Sequence, residues 1–365
     1  MTRTRFMMPV AAAMIPIIAS IAVTSCTKKE EKVEEPQAVV EEAVVLPPAP
    51  YEFPKMKVPA DNPPNILAAV LGAQLFFDPR LSVDGTRSCY SCHQNEHGNG
   101  GEEPLAVGAK EKQLTRHSPV IWNTAYFDRF YWDGRADSLE AQAKGAWGGG
   151  NMGVGAENLE KKTKQLSKIK AYKSAFDKTF PEEGMTPDTV AKAIAAYERT
   201  LICNNTAYDR FAKGDERALT DQQKQGWAIF MGKGQCVVCH APPLFSSAMG
   251  VPDGVYYNVG IGTDGVTEED VDVGRAAVTN QEADWAAFKV PSLRNVSKSA
   301  PYFHDGSVPT LEGAVRLMAS GGIDNKNKSS LLADRGLDDE GIGALVAFLG
   351  ALDCRRTLRA PELPK

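Results

Sequence analysis

Two copies of one short motif constrain this chain more than any other feature of its sequence. CYSCH spans residues 89–93 and CVVCH spans residues 236–240. Two thiols at this spacing can form thioethers with the vinyl groups of one haem, and the adjoining histidine then ligates the iron. The sequence therefore predicts two covalent c-type haems, held by Cys89, Cys92 and His93 and by Cys236, Cys239 and His240.

The same order of elements leads to both motifs. Residues 65–77 carry apolar side chains at helical spacing after an asparagine cap, and residues 221–231 do so after the cap residue Thr220. Each segment passes through a turn into its motif. We therefore expect a mainly α protein with two cytochrome-c-like domains, each enclosing one covalent haem. The predicted limits are 56–203 for the N-terminal domain, 204–354 for the C-terminal domain and 355–365 for a tail.

Further helices are expected where apolar residues recur at helical spacing. The segment between residues 250 and 289 is rich in Gly, Asp and Val, which favours loops and short strands. The predicted helices cover residues 139–146, 159–180, 188–202 and 338–352.

The N-terminus is typical of an export signal. Two arginines precede an apolar run over residues 6–23, and small residues then lead to Cys26, as in the bacterial lipobox. An ordinary signal peptide or a membrane helix is the alternative, but the prolines in the run make it marginal for the ~20 apolar residues of a spanning helix. We predict a lipoprotein signal peptide over 1–26, lipidation of Cys26 and a disordered tether over 27–55, with the globular part anchored to a membrane in the periplasm.

Charge and cysteine content limit the partners and the redox setting. A net charge of -5 argues against nucleic acid. Of the seven cysteines, Cys203 and Cys354 belong neither to the lipobox nor to a haem motif. In an oxidising compartment they could form a disulfide between the ends of their two helices, and two free buried thiols are an equal alternative.

Zinc is the other metal that paired cysteines bind. A four-cysteine zinc site could join the two pairs across the chain, but it gives no reason for a histidine directly after each pair. Export and the helix before each motif also favour haem.

Longer motifs around the two haem motifs resemble those of the bacterial dihaem cytochrome c peroxidases. They also resemble the related dihaem oxidase that matures the tryptophan-derived cofactor of methylamine dehydrogenase. The likeness runs from Leu71 to Leu352 and includes LGAQLFFDPRLS, RHSPVIWNTA, FYWDGRADSLEAQAKG, AIAAYERTL, GRAAVT, VPSLRNVSKSAPYFHDGSV and LEGAVRLM.

The resemblance implies different tasks for the two haems. In the family the C-terminal haem has a high potential and receives electrons, and the N-terminal haem reduces hydrogen peroxide. His240 and Met318 would then ligate the C-terminal iron, since a thioether favours the ferrous state. Core packing is the alternative for Met318. The related oxidase has tyrosine at this position, so Met318 favours a peroxidase.

The resemblance also assigns residues near the haems. Trp132 matches a tryptophan between the two haems that is thought to couple them, with a plain buried aromatic as the alternative. Gln142 matches a glutamine that lines the peroxide pocket. Arg294 and His304 lie in family motifs near the C-terminal haem, and we expect them to contact a propionate or loop carbonyls.

Two departures concern the N-terminal haem. Ala109 stands where the usual enzymes have a second histidine, which caps the iron in the resting enzyme. The family's pocket glutamate, a general acid–base group, is also missing: Asn151 and Met152 lie near its place, and the next carboxylate is Glu157 on a glycine-rich loop. Of the other histidines, His97 is too close in sequence to His93 to cross the haem plane.

A third departure concerns calcium. His117 stands where the family has an asparagine that helps to bind calcium between the domains. The resemblance implies backbone carbonyls of Ser299 and Pro301 as further ligands, but an imidazole suits a hard cation poorly. We expect His117 to form hydrogen bonds at the surface or between the domains, and a swing to the iron is the alternative.

The expected function is peroxide reduction with electrons from a small cytochrome or cupredoxin. One alternative is a dihaem oxidase that uses peroxide to oxidise a partner protein. The other is an electron-transfer or redox-sensing protein without turnover, in which Met152 or His117 occupies the N-terminal iron. Family members are often homodimers.

Overall fold

The computed structural model describes residues 53–365. The predicted signal peptide, Cys26 and residues 27–52 of the predicted tether lie outside the described residues. None of the helices in the described part is long and apolar enough to cross a bilayer.

Helices dominate the described chain, as expected for a mainly α protein. A short antiparallel pair accompanies them, in which Tyr256 lies opposite Lys289 and Tyr257 opposite Phe288. Residues 53–365 form ten α-helices and two strands: α1 Ile66–Phe77, α2 Leu139–Gly148, α3 Leu159–Leu166, α4 Lys170–Thr179, α5 Pro187–Glu198, α6 Ala207–Ala212, α7 Asp221–Met231, α8 Ala276–Thr279, α9 Leu311–Ala319, α10 Asp339–Gly350, β1 Tyr256–Tyr257 and β2 Phe288–Lys289.

Helix caps fall where the sequence predicts them. The Asn65 side chain accepts hydrogen bonds from the Leu67 and Ala68 N–H groups at the start of α1. The Thr220 hydroxyl accepts one from the Gln223 N–H at the start of α7. Because these bonds satisfy donors that the helix itself leaves free, they fix where both helices begin.

Two predicted helix bounds are wrong. Residues 159–180 form two helices, because Ile169 adopts an extended conformation (φ -76°, ψ 103°) between α3 and α4. The break lets Leu166 of α3 and Phe176 of α4 reach the same apolar cluster. Helix α5 ends at Glu198 rather than at residue 202.

The same helix crossing occurs twice. Helix α1 packs on α5, and α7 packs on α10. A Cβ atom on Gly72 would lie 1.8 Å from the Ala193 carbonyl oxygen, and one on Gly226 would lie 2.0 Å from the Ala344 carbonyl oxygen. Each crossing therefore depends on a glycine that lets two backbones touch.

A disulfide joins the ends of the two halves of the described chain, the first half being the part with the motif at residues 89–93 and the second half the part with the motif at residues 236–240. Cys203 follows α5 and Cys354 follows α10, and their sulfur atoms are bonded. Both lie in one apolar cluster with Phe76 and Trp122. The structure thus settles the choice between a disulfide and two free thiols in favour of the disulfide.

The C-terminal residues pack against the first half of the molecule. The Asn95 side-chain amide donates to the Leu358 carbonyl oxygen (2.9 Å), and its Oδ1 accepts from the Leu358 N–H (2.8 Å). The Arg80 guanidinium donates to the Pro364 carbonyl oxygen (2.8 Å). These bonds hold residues 355–365 beside the first haem motif.

Candidate haem sites

The first histidine is held in one orientation by its own loop. His93 Nδ1 lies 3.3 Å from the Asn99 carbonyl oxygen. Because that oxygen can only accept, Nδ1 carries the proton and Nε2 keeps its lone pair. Asn99 is left-handed (φ 64°), donates from its amide to the His93 carbonyl and accepts from the Trp122 indole N–H (2.9 Å). Burial lowers the pKa of His93 to about 4, so the ring is neutral, the form that ligates a metal.

The second histidine is held by the same device. His240 Nδ1 lies 3.1 Å from the carbonyl oxygen of Phe245, which is also left-handed (φ 54°). Burial lowers the pKa of His240 to about 4. Both motifs therefore present a neutral imidazole whose Nδ1 is turned towards a backbone carbonyl oxygen.

The four motif cysteines fit thioether chemistry better than zinc. All four are free thiols in the structure. Across residues 53–365, no three His, Cys, Asp or Glu side chains converge as a metal cluster would require. The cysteine pairs therefore lie apart, each beside its own oriented histidine. This arrangement fits two c-type haems, one on each motif.

A cavity opens beside the first motif. Its empty space, counted together with the open solvent at its mouth, is about 590 Å³. Gln142, which the sequence predicts near the peroxide pocket, lines this cavity together with His93. The other lining residues are Leu81, Ser88, Cys89, Cys92, Ala143, Ala146, Trp147, Asn151, Met152, Ile194 and Glu198.

The segment around Ala109 is fixed to the glycine-rich loop. The Ala109 N–H donates to the Asn151 carbonyl oxygen (3.0 Å), and a Cβ on Gly108 would lie 2.1 Å from the Gly150 carbonyl oxygen. The next residue, Lys110, donates its N–H to the Asp84 carboxylate (2.8 Å). Ala109 is buried, and its methyl group offers the cavity no ligand.

The sequence analysis also considered other residues as ligands or acid–base groups at the N-terminal haem. His117 Nδ1 lies 2.9 Å from the Glu103 carbonyl oxygen, and His97 lies beside Glu102. Glu157 is exposed and accepts a hydrogen bond from the Asn158 amide (2.8 Å). None of these three side chains lines the cavity, whereas Met152 does.

A carboxylate that the sequence reasoning missed does reach the cavity. Glu198 ends α5, is 7% exposed and has one carboxylate oxygen, Oε2, without a hydrogen-bond partner. Burial raises its pKa to about 8, Arg199 opposes this shift and Glu140 adds to it. The available signal was a glutamate on the apolar face of AIAAYERTL, at four residues from Ile194.

The second half presents α9 to its motif. Leu311 and Val315 of this helix pack against the apolar cluster that also receives Cys236. Met318 follows them at helical spacing and is half-buried. The sequence-predicted ligand thus lies on the same side of α9 as two residues of this cluster, and its ligation of iron stays a prediction.

Arg294 and His304 organise loops of the second half. The fully buried Arg294 guanidinium donates two hydrogen bonds to Asp209 (2.8 and 2.7 Å), and its Nε donates to the Pro243 carbonyl oxygen (2.9 Å). The His304 ring stacks on Phe288 with centroids 3.6 Å apart. Burial lowers the pKa of His304 to about 4, so this ring is uncharged.

Trp132 lies at the seam between the two halves. Its indole N–H donates to the His117 carbonyl oxygen (2.8 Å), and its own carbonyl accepts from the Lys289 N–H (2.8 Å). The His117 N–H donates to the His304 carbonyl oxygen (2.6 Å). Trp132 is therefore hydrogen-bonded to strand β2 of the second half and to His117 of the first half. His117 is itself hydrogen-bonded to His304 of the second half.

Ser299 and Pro301, the predicted calcium ligands, lie in a turn near this seam. The buried Ser299 hydroxyl donates to the Val296 carbonyl oxygen (3.1 Å). Calcium at their carbonyls stays a prediction.

Comparison with known proteins identifies the class. Residues 67–217 match the family model described as di-haem cytochrome c peroxidase. The chain is 34% identical to cytochrome-c peroxidase IdrP1 of Denitromonas iodatirespirans, covering 86% of this chain and 89% of that protein. It is 30% identical to the methylamine utilization protein MauG of Methylophilus methylotrophus, covering 84% and 89%.

A solved structure shares the architecture. A MauG-like protein associated with microbial copper homeostasis superposes with a TM-score of 0.76 at 27% identity, covering 86% of this chain and 96% of that one. The chain belongs to the di-haem cytochrome c peroxidase family. The predicted family, the fold of two cytochrome-c-like domains and the class of enzyme, a cytochrome-c-peroxidase-type oxidoreductase, are confirmed, and the family implies two c-type haems.

Proposed function

We propose that this protein is a periplasmic, lipid-anchored peroxidase that reduces hydrogen peroxide to water. Its electrons would come from a small redox protein, a cytochrome c or a cupredoxin. The observation that carries the proposal is the cavity beside His93, which Gln142 lines and in whose described wall His93 is the one histidine. When bound, the two haems would supply electron storage and the iron that binds peroxide.

Electron entry is assigned to the second half. His240 and Met318 would hold its iron, and a thioether ligand raises the potential as an entry site requires. Trp132 would couple the two centres, which its hydrogen bonds on both sides of the seam support. The role of this chain in that path is to hold the two centres at a fixed separation.

The first half is assigned to peroxide. Gln142 would orient the substrate from the cavity wall. Since Ala109 is tied to Asn151 and Lys110 to Asp84, we expect a cavity that is open in the oxidised protein and needs no prior reduction of the other haem.

Two other functions have an observation in their favour. The relation to MauG supports an oxidase that acts on a partner protein, although Met318 stands where that oxidase has tyrosine. Met152 in the cavity wall supports a carrier or sensor whose N-terminal iron is closed by a thioether.

Electron paramagnetic resonance of the fully oxidised, haem-loaded protein tests the proposal. We expect one high-spin ferric signal, from the His93 haem, and peroxide turnover by the protein as isolated. Two low-spin signals in the wild type, of which one is replaced by a high-spin signal in Met152→Leu, would establish the closed site instead. Turnover only after half-reduction would show that another ligand replaces the family histidine.

The remaining parts of the proposal concern the whole protein. They are the domain limits at residues 203 and 204, lipidation of Cys26, calcium at the Ser299 and Pro301 carbonyls, and a homodimer. Mass spectrometry of the membrane-extracted protein tests lipidation, and light scattering tests the dimer.

A further inference from the structure

We infer that Glu198 is the acid that gives a proton to peroxide in the cavity beside His93. It would take the role of the carboxylate that the glycine-rich loop lacks. This inference rests on the proposed peroxidase function and adds a catalytic residue to it.

Glu198 has the position that the role requires. It lies one helical turn after Ile194 on α5, and both side chains line the cavity together with Gln142 and His93. Among the residues of the described chain that line this cavity, Glu198 is the one carboxylic acid. Glu157, the next acid after the glycine-rich loop, is exposed elsewhere.

Its carboxyl group has no structural role that would account for its burial. Oε2 of Glu198 is buried without a hydrogen-bond partner. Such burial lowers the stability of the fold, and a functional role would explain why the carboxyl group is there. The neighbouring Glu140 shows the contrast, because it accepts from both guanidinium nitrogens of Arg199 (2.7 and 2.9 Å) and from the Asn62 amide (2.5 Å). The adjacent guanidinium of Arg199 therefore forms its hydrogen bonds with Glu140, and Oε2 of Glu198 has none.

The groups that face Glu198 keep it protonated at neutral pH. Burial raises its pKa to about 8, and the charge of Glu140 adds to this effect while Arg199 opposes it. Tyr131 faces it from the loop before α2, and burial raises the pKa of Tyr131 to about 12. Tyr197 precedes it on α5 and has a pKa raised by burial, so both tyrosines remain neutral.

Cys89 is a further titratable neighbour: burial raises the pKa of its thiol, and the charge of Glu198 adds to this effect. A thioether at Cys89 does not titrate. Of the ionisable groups that line the cavity in the described chain, Glu198 is then the one suited to release and regain a proton around neutral pH.

The chemistry balances with one acid in this place. Hydrogen peroxide takes up two electrons and two protons, its O–O bond breaks and two water molecules form. The electrons come from two molecules of a one-electron redox protein, each oxidised once. Glu198 gives one proton to the leaving oxygen and regains it from solvent, and solvent supplies the second proton.

The test uses the full haem-loaded chain with Glu198→Gln, which keeps the shape but cannot release a proton. We expect the single-turnover rate with peroxide to fall by ~10²–10⁴-fold. Glu157→Gln, at an exposed acid outside the cavity, is the matched control and should keep the rate. Glu198→Asp should recover part of it, because a shorter acid still carries a proton.

Two readouts separate proton donation from a structural role. In the wild type the rate should be level below about pH 8 and fall above it, since the acid then loses its proton, and Glu198→Gln should lack this decline. Infrared difference spectroscopy should detect a protonated carboxyl band that is sensitive to deuterium and absent from Glu198→Gln.

The outcomes distinguish this inference from the proposed function. A wild type without peroxide turnover would overturn the proposed function and, with it, the proton donation. An active wild type whose Glu198→Gln variant keeps the rate and the pH profile would overturn the role of Glu198 alone. An active wild type that lacks the carboxyl band would also overturn that role.

Discussion

The two halves of the molecule hold their histidines in the same way and differ in the segments that accompany them. In both, a helix crossing depends on a glycine, and a left-handed residue turns its carbonyl oxygen towards the histidine Nδ1. Elsewhere the halves differ: the second half has α9 with Met318, whereas the first has Ala109 bonded to a glycine-rich loop. The features that both halves share would bind the haems, and the segments that differ between the halves would set what each haem can do.

The likeness of the halves extends to the disulfide. Asn123 (φ 62°) accepts from the Cys203 N–H (2.9 Å), and Asn295 (φ 69°) accepts from the Cys354 N–H (3.0 Å). Each asparagine thus caps the chain just after the second helix of its crossing. The covalent link therefore joins equivalent points of two similar units.

Loss of Met318 should have the largest effect on the contrast between the halves. In Met318→Ala we expect the second haem to lose its methionine-to-iron signature entirely and its potential to fall, since the thioether favours ferrous iron. Near-infrared absorption and a redox titration measure this. Met152→Leu, which removes a thioether from the first half, is the control and should leave the spectrum and the potential of the second haem unchanged. An unaltered spectrum in Met318→Ala would remove the assigned ligand.

Loss of the disulfide should weaken the connection between the halves. With Cys203→Ala and Cys354→Ala together, the free energy of unfolding should fall by about 2–5 kcal/mol, because the unfolded chain gains the freedom of a long loop. Urea unfolding of the haem-loaded protein gives this value. The free energy of unfolding of the wild type, measured with a reductant that opens the disulfide, should approach that of the variant. Equal stability of variant and oxidised wild type would contradict the expectation.

Sequence reasoning reached the repeated parts of the molecule better than the unrepeated parts. The motifs and the capped helices α1 and α7 depend on neighbouring residues, so local patterns predict them. The carbonyl groups that orient His93 and His240 are backbone atoms, which no residue pattern identifies. Glu198 acquires its role only because α5 packs beside the first motif, and that contact is made by the folded chain.

The two helix crossings should respond to the same substitution in the same way. Gly72→Ala and Gly226→Ala would each force a methyl group against a backbone carbonyl, and we expect a loss of about 1–3 kcal/mol in each case. Gly343→Ala on α10 is the matched control: its Cβ would meet only the Gln222 side chain, at 3.8 Å, so alanine should stabilise the helix by up to about 1 kcal/mol. Thermal unfolding of the three variants compares them. A crossing that tolerates alanine would not be a backbone contact.

The smallest expected loss of stability concerns the seam itself. Trp132→Phe removes the indole donor to the His117 carbonyl (2.8 Å) and should cost about 1 kcal/mol. Trp285→Phe is the control, since that ring lies under the Lys326 ammonium rather than at the seam (4.4 Å). If Trp132 couples the haems, its loss should slow electron transfer between them in flash photolysis while both ligand spectra stay unchanged. A lower stability with an unchanged transfer rate would make Trp132 a structural residue of the seam, and the coupling path would then have to run through the backbone that joins His117 to His304.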